Sequence, residues 1–240
     1  MAYRTGLTAY TPAIANNLTS GALTSVAGDT AVVFWTTAQA HPVVTFTDSL
    51  SNTWVQPSGS PYGLGGTAGY LYCYKSLLAN VGSHTISITV GASVYLVLNW
   101  TLWSGRSGVF DGTMGTFVDT SFLQSHVGPA ITTSSAGSDV IGVIFESGST
   151  GGSTAVDTFT PGSGFTQAVS FNGAPPVTSP MMTQYKANAA AGSYTGGCTT
   201  VNFVEASGVI IALTAAGSSG GGFGDSLEGG LSGQLSGGVQ

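Results

Sequence analysis

Hydrophobic residues along this chain fall in short runs separated by Gly, Ser, Pro and Asn, and no long segment keeps an i, i+3, i+4, i+7 apolar pattern. Punctuation of this kind predicts strands rather than helices. The first strong strand follows Gly28-Asp29 and covers 30–37, Thr-Ala-Val-Val-Phe-Trp-Thr-Thr. It is apolar on both faces, as a central strand is. Residues 42–56 read as a hairpin turning around Asp48 to Asn52, because Asp and Asn side chains bond nearby backbone N–H groups. In the segment 70–75, Tyr70, Tyr72 and Tyr74 share one face while Leu71 and Cys73 share the other. Residues 83–90 alternate with Ile86, Ile88 and Val90 inward, and another strand runs from Val94 to Trp103.

The stretch 104–138 is weaker, with Phe110, Phe117 and Phe122 isolated among Gly, Ser and Thr. It reads as a long connection with a short helical turn near Thr120 to Gln124. Strands resume at 139–145, 164–171, 181–186, 198–204 and 209–214. The expected total of about ten to twelve strands suits a two-sheet sandwich or jelly roll. No strand alternates with a helix, which argues against a parallel α/β sheet. The expected fold is all-β, an antiparallel two-sheet β-sandwich of jelly-roll type. An N-terminal arm over 1–19 precedes the domain at 20–215, and a Gly/Ser-rich tail over 216–240 follows it.

Charge changes the picture most. Only 6% of the 240 residues are charged, against roughly 25% in ordinary soluble proteins. The basic residues are Arg4, Lys75, Arg106 and Lys186, and the net charge is −6. Four scattered cations do not displace the counterions of a nucleic acid or hold an anionic membrane surface, so neither is an expected partner. The most apolar stretch, Val94 to Trp103, is interrupted by Asn99 and Thr101 and is far too short for a spanning helix. The first residues lack the apolar run of a signal peptide, so folding in a cytoplasm is expected. A surface of hydroxyls and amides, nearly free of charge, is expected either to be covered by partners or to face a setting where neutrality is tolerated.

Candidate chemistry is sparse. His41, His84 and His126 sit in separate segments, and no Cys-x-x-Cys or His-Glu-x-x-His spacing occurs; no cofactor or metal is expected. Cys73 and Cys198 read as buried free thiols, with a disulfide as the alternative. The one Gly-x-Ser-x-Gly match, 217–221, lies in low-complexity sequence rather than on a strand-to-helix turn. Glu146, paired with Glu205 or Asp157, is the candidate for a carboxyl pair of glycosidase type. Asp48 with Asn52, or Asp111 with Asp119, are candidate calcium ligands, although no Asp-x-Asp-x-Asp-Gly loop occurs. Trp35, Trp54, Trp100, Trp103 and the tyrosine stripe read chiefly as core. Trp54 and Tyr62, beside a loop, are the candidates for a glycan or surface contact.

The tail carries the sharpest positive pattern. Phe223, Leu227, Leu231 and Leu235 recur every four residues with Gly and Ser between them. That spacing sets all four on one side of an extended strand, and glycine, at about 1 kcal/mol each relative to Ala, opposes a helix. These residues read as knobs that fill pockets on a partner, with a disordered linker as the alternative.

Several segments carry a resemblance: GDTAVVFWTT (28–37), TFTDSLSNTWVQ (45–56), SHTISITV (83–90), SAGSDVIGVIF (135–145), GSGFTQ (162–167) and AGSYTGGCTT (191–200). Together they resemble β-sandwich virion structural proteins of tailed bacteriophages, over roughly residues 28–214. The resemblance implies a non-enzymatic role in the virion, foremost a capsid decoration or cement protein. A tail-fibre or receptor- and carbohydrate-binding module is the alternative. The implied partners are the major capsid protein or another virion protein, and copies of the chain itself, a trimer among the options. The resemblance supplies no catalytic residue.

Overall fold

The punctuated apolar runs become strands. The computed structural model describes residues 3–37, 43–58, 60–63, 70–147, 157–173 and 180–217. Among these residues there are nineteen strands and no helix. In chain order they begin with β1 (Tyr3–Tyr10), β2 (Ala15–Thr19), β3 (Leu23–Thr24), β4 (Asp29–Thr37) and β5 (Val43–Asp48). Next come β6 (Tyr62–Gly63), β7 (Tyr70–Leu77), β8 (Ser83–His84), β9 (Ile86–Val94) and β10 (Leu96–Ser104). Then follow β11 (Arg106–Phe110), β12 (Gly115–His126), β13 (Ala130–Thr133), β14 (Ser138–Ser147) and β15 (Thr160–Pro161). The last are β16 (Thr166–Phe171), β17 (Met181–Ala189), β18 (Gly192–Thr195) and β19 (Cys198–Ala215).

The strands form several antiparallel sheets. One has the order β1-β10-β4-β7-β6, and another has β11-β19-β14-β17-β16 with β12 and β15 also on β19. A three-stranded sheet, β2-β9-β5, and the pairs β13-β18 and β3-β8 complete the set. Strand β4 lies between β10 and β7, and all nine of its residues are buried. Its Val32 and Phe34 join Leu71, Val97 and Trp103 against Ile141, Val143, Val209 and Ile211 of the β19 sheet. Its Ala31, Val33 and Trp35 join Tyr72, Tyr74, Leu98 and Trp100 against Leu18, Ile86, Ile88 and Val90 of the β2-β9-β5 layer. The tyrosine stripe thus faces one core while Leu71 and Cys73 face the other, as alternation requires.

Two buried polar residues of β10 are fully engaged, and Asn99 bonds across the first of these interfaces. Asn99 donates to Thr183 Oγ1 at 3.1 Å and accepts from Thr8 Oγ1 at 2.7 Å. Thr101 donates to the Val32 carbonyl at 3.1 Å and accepts the Trp103 indole N–H at 2.9 Å. A one-residue slip would leave these buried groups without partners, at about 1–3 kcal/mol each, so they specify register as well as packing.

The structure departs from the sequence expectations in four places. Residues 3–19, expected as an extended arm, are extended but paired: β1 lies on β10 and β2 on β9. Residues 42–56 do not form one hairpin, because β5 pairs with β9 while Val55 bridges Lys75 of β7. The turn chemistry at Asp48 is present but redirects the chain into another sheet. The expected helical turn at 120–124 lies inside β12, and 104–138 holds three strands rather than a connection. Finally, 198–204 and 209–214 are one strand, β19, that passes through Gly208. A Cβ there would sit 2.3 Å from the Val143 carbonyl oxygen, so only glycine lets β19 run on against β14.

Candidate functional site

Polar and ionisable side chains gather at three places, and each was flagged in part by the sequence. At the first, Asp48 Oδ1 accepts the N–H groups of Leu50 at 2.7 Å and Asn52 at 3.2 Å. Its Oδ2 accepts the Trp54 indole N–H at 2.7 Å. Asn52 Oδ1 in turn accepts the N–H groups of Ala79 at 3.0 Å and Asn80 at 2.8 Å. The oxygens of this candidate calcium pair are thus engaged in stapling two loops together. Trp54 is half-buried and packs edge-on against Phe46, with ring centroids 5.1 Å apart. Its polar edge is occupied by Asp48. Tyr62 is also half-buried, and its hydroxyl donates to the Ser58 carbonyl at 3.3 Å.

At the second place the structure separates Asp111 from Asp119. Burial alone would raise the Asp111 carboxyl, but the Ser134 and Ser138 hydroxyls and the Ser134 and Ser135 N–H groups hold it below the usual range. Asp111 therefore ties the β11–β12 link to the start of β14. Asp119 faces His126 Nδ1 at 3.2 Å. The buried Nε2 of His126 has no hydrogen-bond partner. Cys198 lies opposite His126 in the β12–β19 register, but its thiol is pushed up to about 12 by burial and by the neighbouring Glu146 and Asp157 carboxyls. A thiol held protonated is a poor nucleophile.

The third place is the carboxyl pair. Glu146 leaves the end of β14 on the same side as Ala206, its register partner. Glu205 pairs with Ser147 and so points to the opposite face. The structure therefore brings Glu146 to Asp157 and not to Glu205. Asp157 is fully buried, and Glu146 is 4% exposed. Asp157 Oδ1 accepts the N–H groups of Thr158 at 2.7 Å and Val201 at 2.8 Å, and Oδ2 accepts Asn202 N–H at 3.2 Å. Glu146 is pushed up to about 9 by burial and by the Asp157 carboxylate. Glu146 therefore keeps its proton at neutral pH. Glycosidase carboxyls flank a cleft that admits a sugar, whereas both of these are buried. Among the described residues no group of three or more His, Cys, Asp or Glu is placed to hold a metal ion. Cys73 and Cys198 are free, in separate clusters.

What sequence reasoning missed lies on the surface. Among the described residues β12 pairs only with β19 and forms an edge of its sheet. Val118, Phe122 and Leu123 on β12 are 47%, 44% and 44% exposed, and Val127 just beyond it is 79% exposed. Val201 stands out from β19 where the register between the two strands breaks. The edge holds no Lys, Arg or Pro, the residues that ordinarily protect an edge from pairing with another chain. Its one charge, Asp119, is engaged with Ser121 N–H and His126. The docking residues read from the sequence, Phe223, Leu227, Leu231 and Leu235, lie outside the described residues, as do His41 and all but the first residue of the 217–221 match. Comparison with known proteins finds no matching family model, no matching curated protein and no matching solved structure.

Proposed function

We propose that this chain is a non-catalytic structural protein of a bacteriophage virion, a capsid decoration protein that acts by covering and cross-linking its neighbours. The observation that carries the reading is the unprotected apolar edge of β12, with Phe122, Leu123, Val127 and Val201 exposed. An edge without gatekeepers pairs with another chain, and its neutrality fits a neutral shell surface rather than an oppositely charged one. The nearly chargeless composition and the carboxyl pair sealed away from solvent support the same reading. The virion assignment itself comes from the sequence resemblance over 28–214. On this reading the two larger sheets are the halves of a jelly-roll-like sandwich, and the tail knobs add a second contact that raises avidity.

Counting the chain in purified virions tests the proposal. Hundreds of copies per particle are expected for a decoration protein. A few to a few dozen would place it in the tail, and its absence from washed particles would remove the structural role.

A further inference from the structure

A cleft of about 240 Å³ opens where β11 gives way to β12. Its origin is a mismatch of strand lengths. Between the pairs Phe110↔Leu213 and Gly115↔Ile210, one strand takes five residue steps and β19 takes three. The link 111–114 carries the two extra residues across β19, and the cleft beside it is lined by Ile211 and Ala212, which are otherwise buried. Phe110 and Met114 form one wall, and Pro57 and Ser58 form the other. Asp111 and the serines around it hold the link in place. The walls are mostly apolar, and a smaller cavity of about 150 Å³ is known to accept a benzene ring.

We propose that this cleft is the seat of Phe223 from the chain's own tail. The exit point and the tether length carry the assignment. The described chain ends at Gly217, with Ala216 N–H bonded to the Gly105 carbonyl at 2.9 Å beside the start of β11. Ile211 lies four residues back along β19 from Ala215, about 13 Å at strand rise. Phe223 lies six residues beyond Gly217, across Ser218-Ser-Gly-Gly-Gly222. A flexible Gly/Ser segment of that length has a root-mean-square span of about 13 Å and a limit of about 20 Å. The tether is long enough to cover a span like that from Ala215 to Ile211, so the ring can reach the cleft at a local concentration in the millimolar range. Phe223 is the only aromatic residue of the tail. Phe110 and Met114 offer it the ring and thioether contacts that an aromatic knob favours. Seating Phe223 fixes the start of the tail on its own domain and presents Leu227, Leu231 and Leu235 outward as a separate set.

The seat goes beyond the assembly reading and does not depend on it. The test uses the full chain with methyl-labelled Met and Ile, the two cleft methyl groups being assigned through Met114→Leu and Ile211→Val. Cross-relaxation between the Phe223 ring and the Met114 and Ile211 methyl groups is expected in dilute samples, and its loss is expected in Phe223→Ala, which leaves the rest of the spectrum in place. Absence of these contacts in the wild type overturns the proposal. Contacts seen only between differently labelled chains in a mixed sample also overturn it, by assigning the seat to a second copy. A Leu227→Ser, Leu231→Ser, Leu235→Ser variant that still assembles while keeping the contacts counts against the tail's role in assembly and leaves the seat standing.

Discussion

Strands β4 and β12 show how one chain divides its work. Strand β4 has a partner on each side and a core on each face, and none of its nine residues reaches solvent. Among the described residues strand β12 has one partner, β19, and most of its residues are exposed. Apolar side chains on β4 are consumed by folding. Those on β12 are exposed, and on the proposed reading they act in association rather than in stability.

That contrast predicts opposite mutational behaviour. Trp35 stacks on Tyr72 with ring centroids 3.9 Å apart and is fully buried. Trp35→Ala is expected to lower unfolding free energy by about 3–5 kcal/mol, as read by urea denaturation. Glu146 comes next. Its folded value of about 9 lies above the ordinary carboxyl value, so the associated stability is full below about pH 4.5 and is lost as pH rises toward 9. Glu146→Gln keeps a hydrogen-bond donor toward Asp157 and removes that loss. The variant should be about 1–3 kcal/mol more stable than wild type at pH 8 and little changed at pH 4.5.

His84 runs the other way. It is buried edge-on against Trp100, with centroids 4.9 Å apart, and burial lowers its pKa against the pull of Asp48. A histidine kept neutral by folding stabilises above its ordinary value of about 6.5 and loses that contribution as pH falls. Thermal melts from pH 7.5 to 5 should show a loss of stability that His84→Phe abolishes. Glu146 loses its contribution as pH rises above about 4.5 and His84 loses its own as pH falls below about 6.5, so the two effects oppose each other between those values. The smallest expected effect on folding is on β12, where Phe122→Lys should change stability by no more than about 0.5 kcal/mol.

Much of the interior was legible before the fold was known. The unbroken apolar run of β4, the alternation of Ile86, Ile88 and Val90 and the two faces of the Tyr70–Tyr74 segment are statements about burial, and burial is what hydrophobic periodicity encodes. Strand β12 was not legible for the same reason. A strand exposed on both faces need not alternate, so Thr120, Ser121 and Gln124 erased the signal that Val118 and Phe122 would have given. The 42–56 segment misled differently: its turn residues are real, but the turn serves a crossing between sheets, which only long-range pairing decides. Pairing of Glu146 with Asp157 rather than Glu205 depended on the parity of the β14–β19 register, which no local pattern reveals. The cleft arises from a mismatch between two strands distant in sequence, and was equally hidden.

The most direct test of the assembly account is the occupancy of Phe122→Lys on virions assembled in its presence. The account predicts a protein that melts like wild type yet loads onto particles at least tenfold less, an association loss of about 1.4 kcal/mol or more. Wild-type occupancy by the folded variant would contradict it.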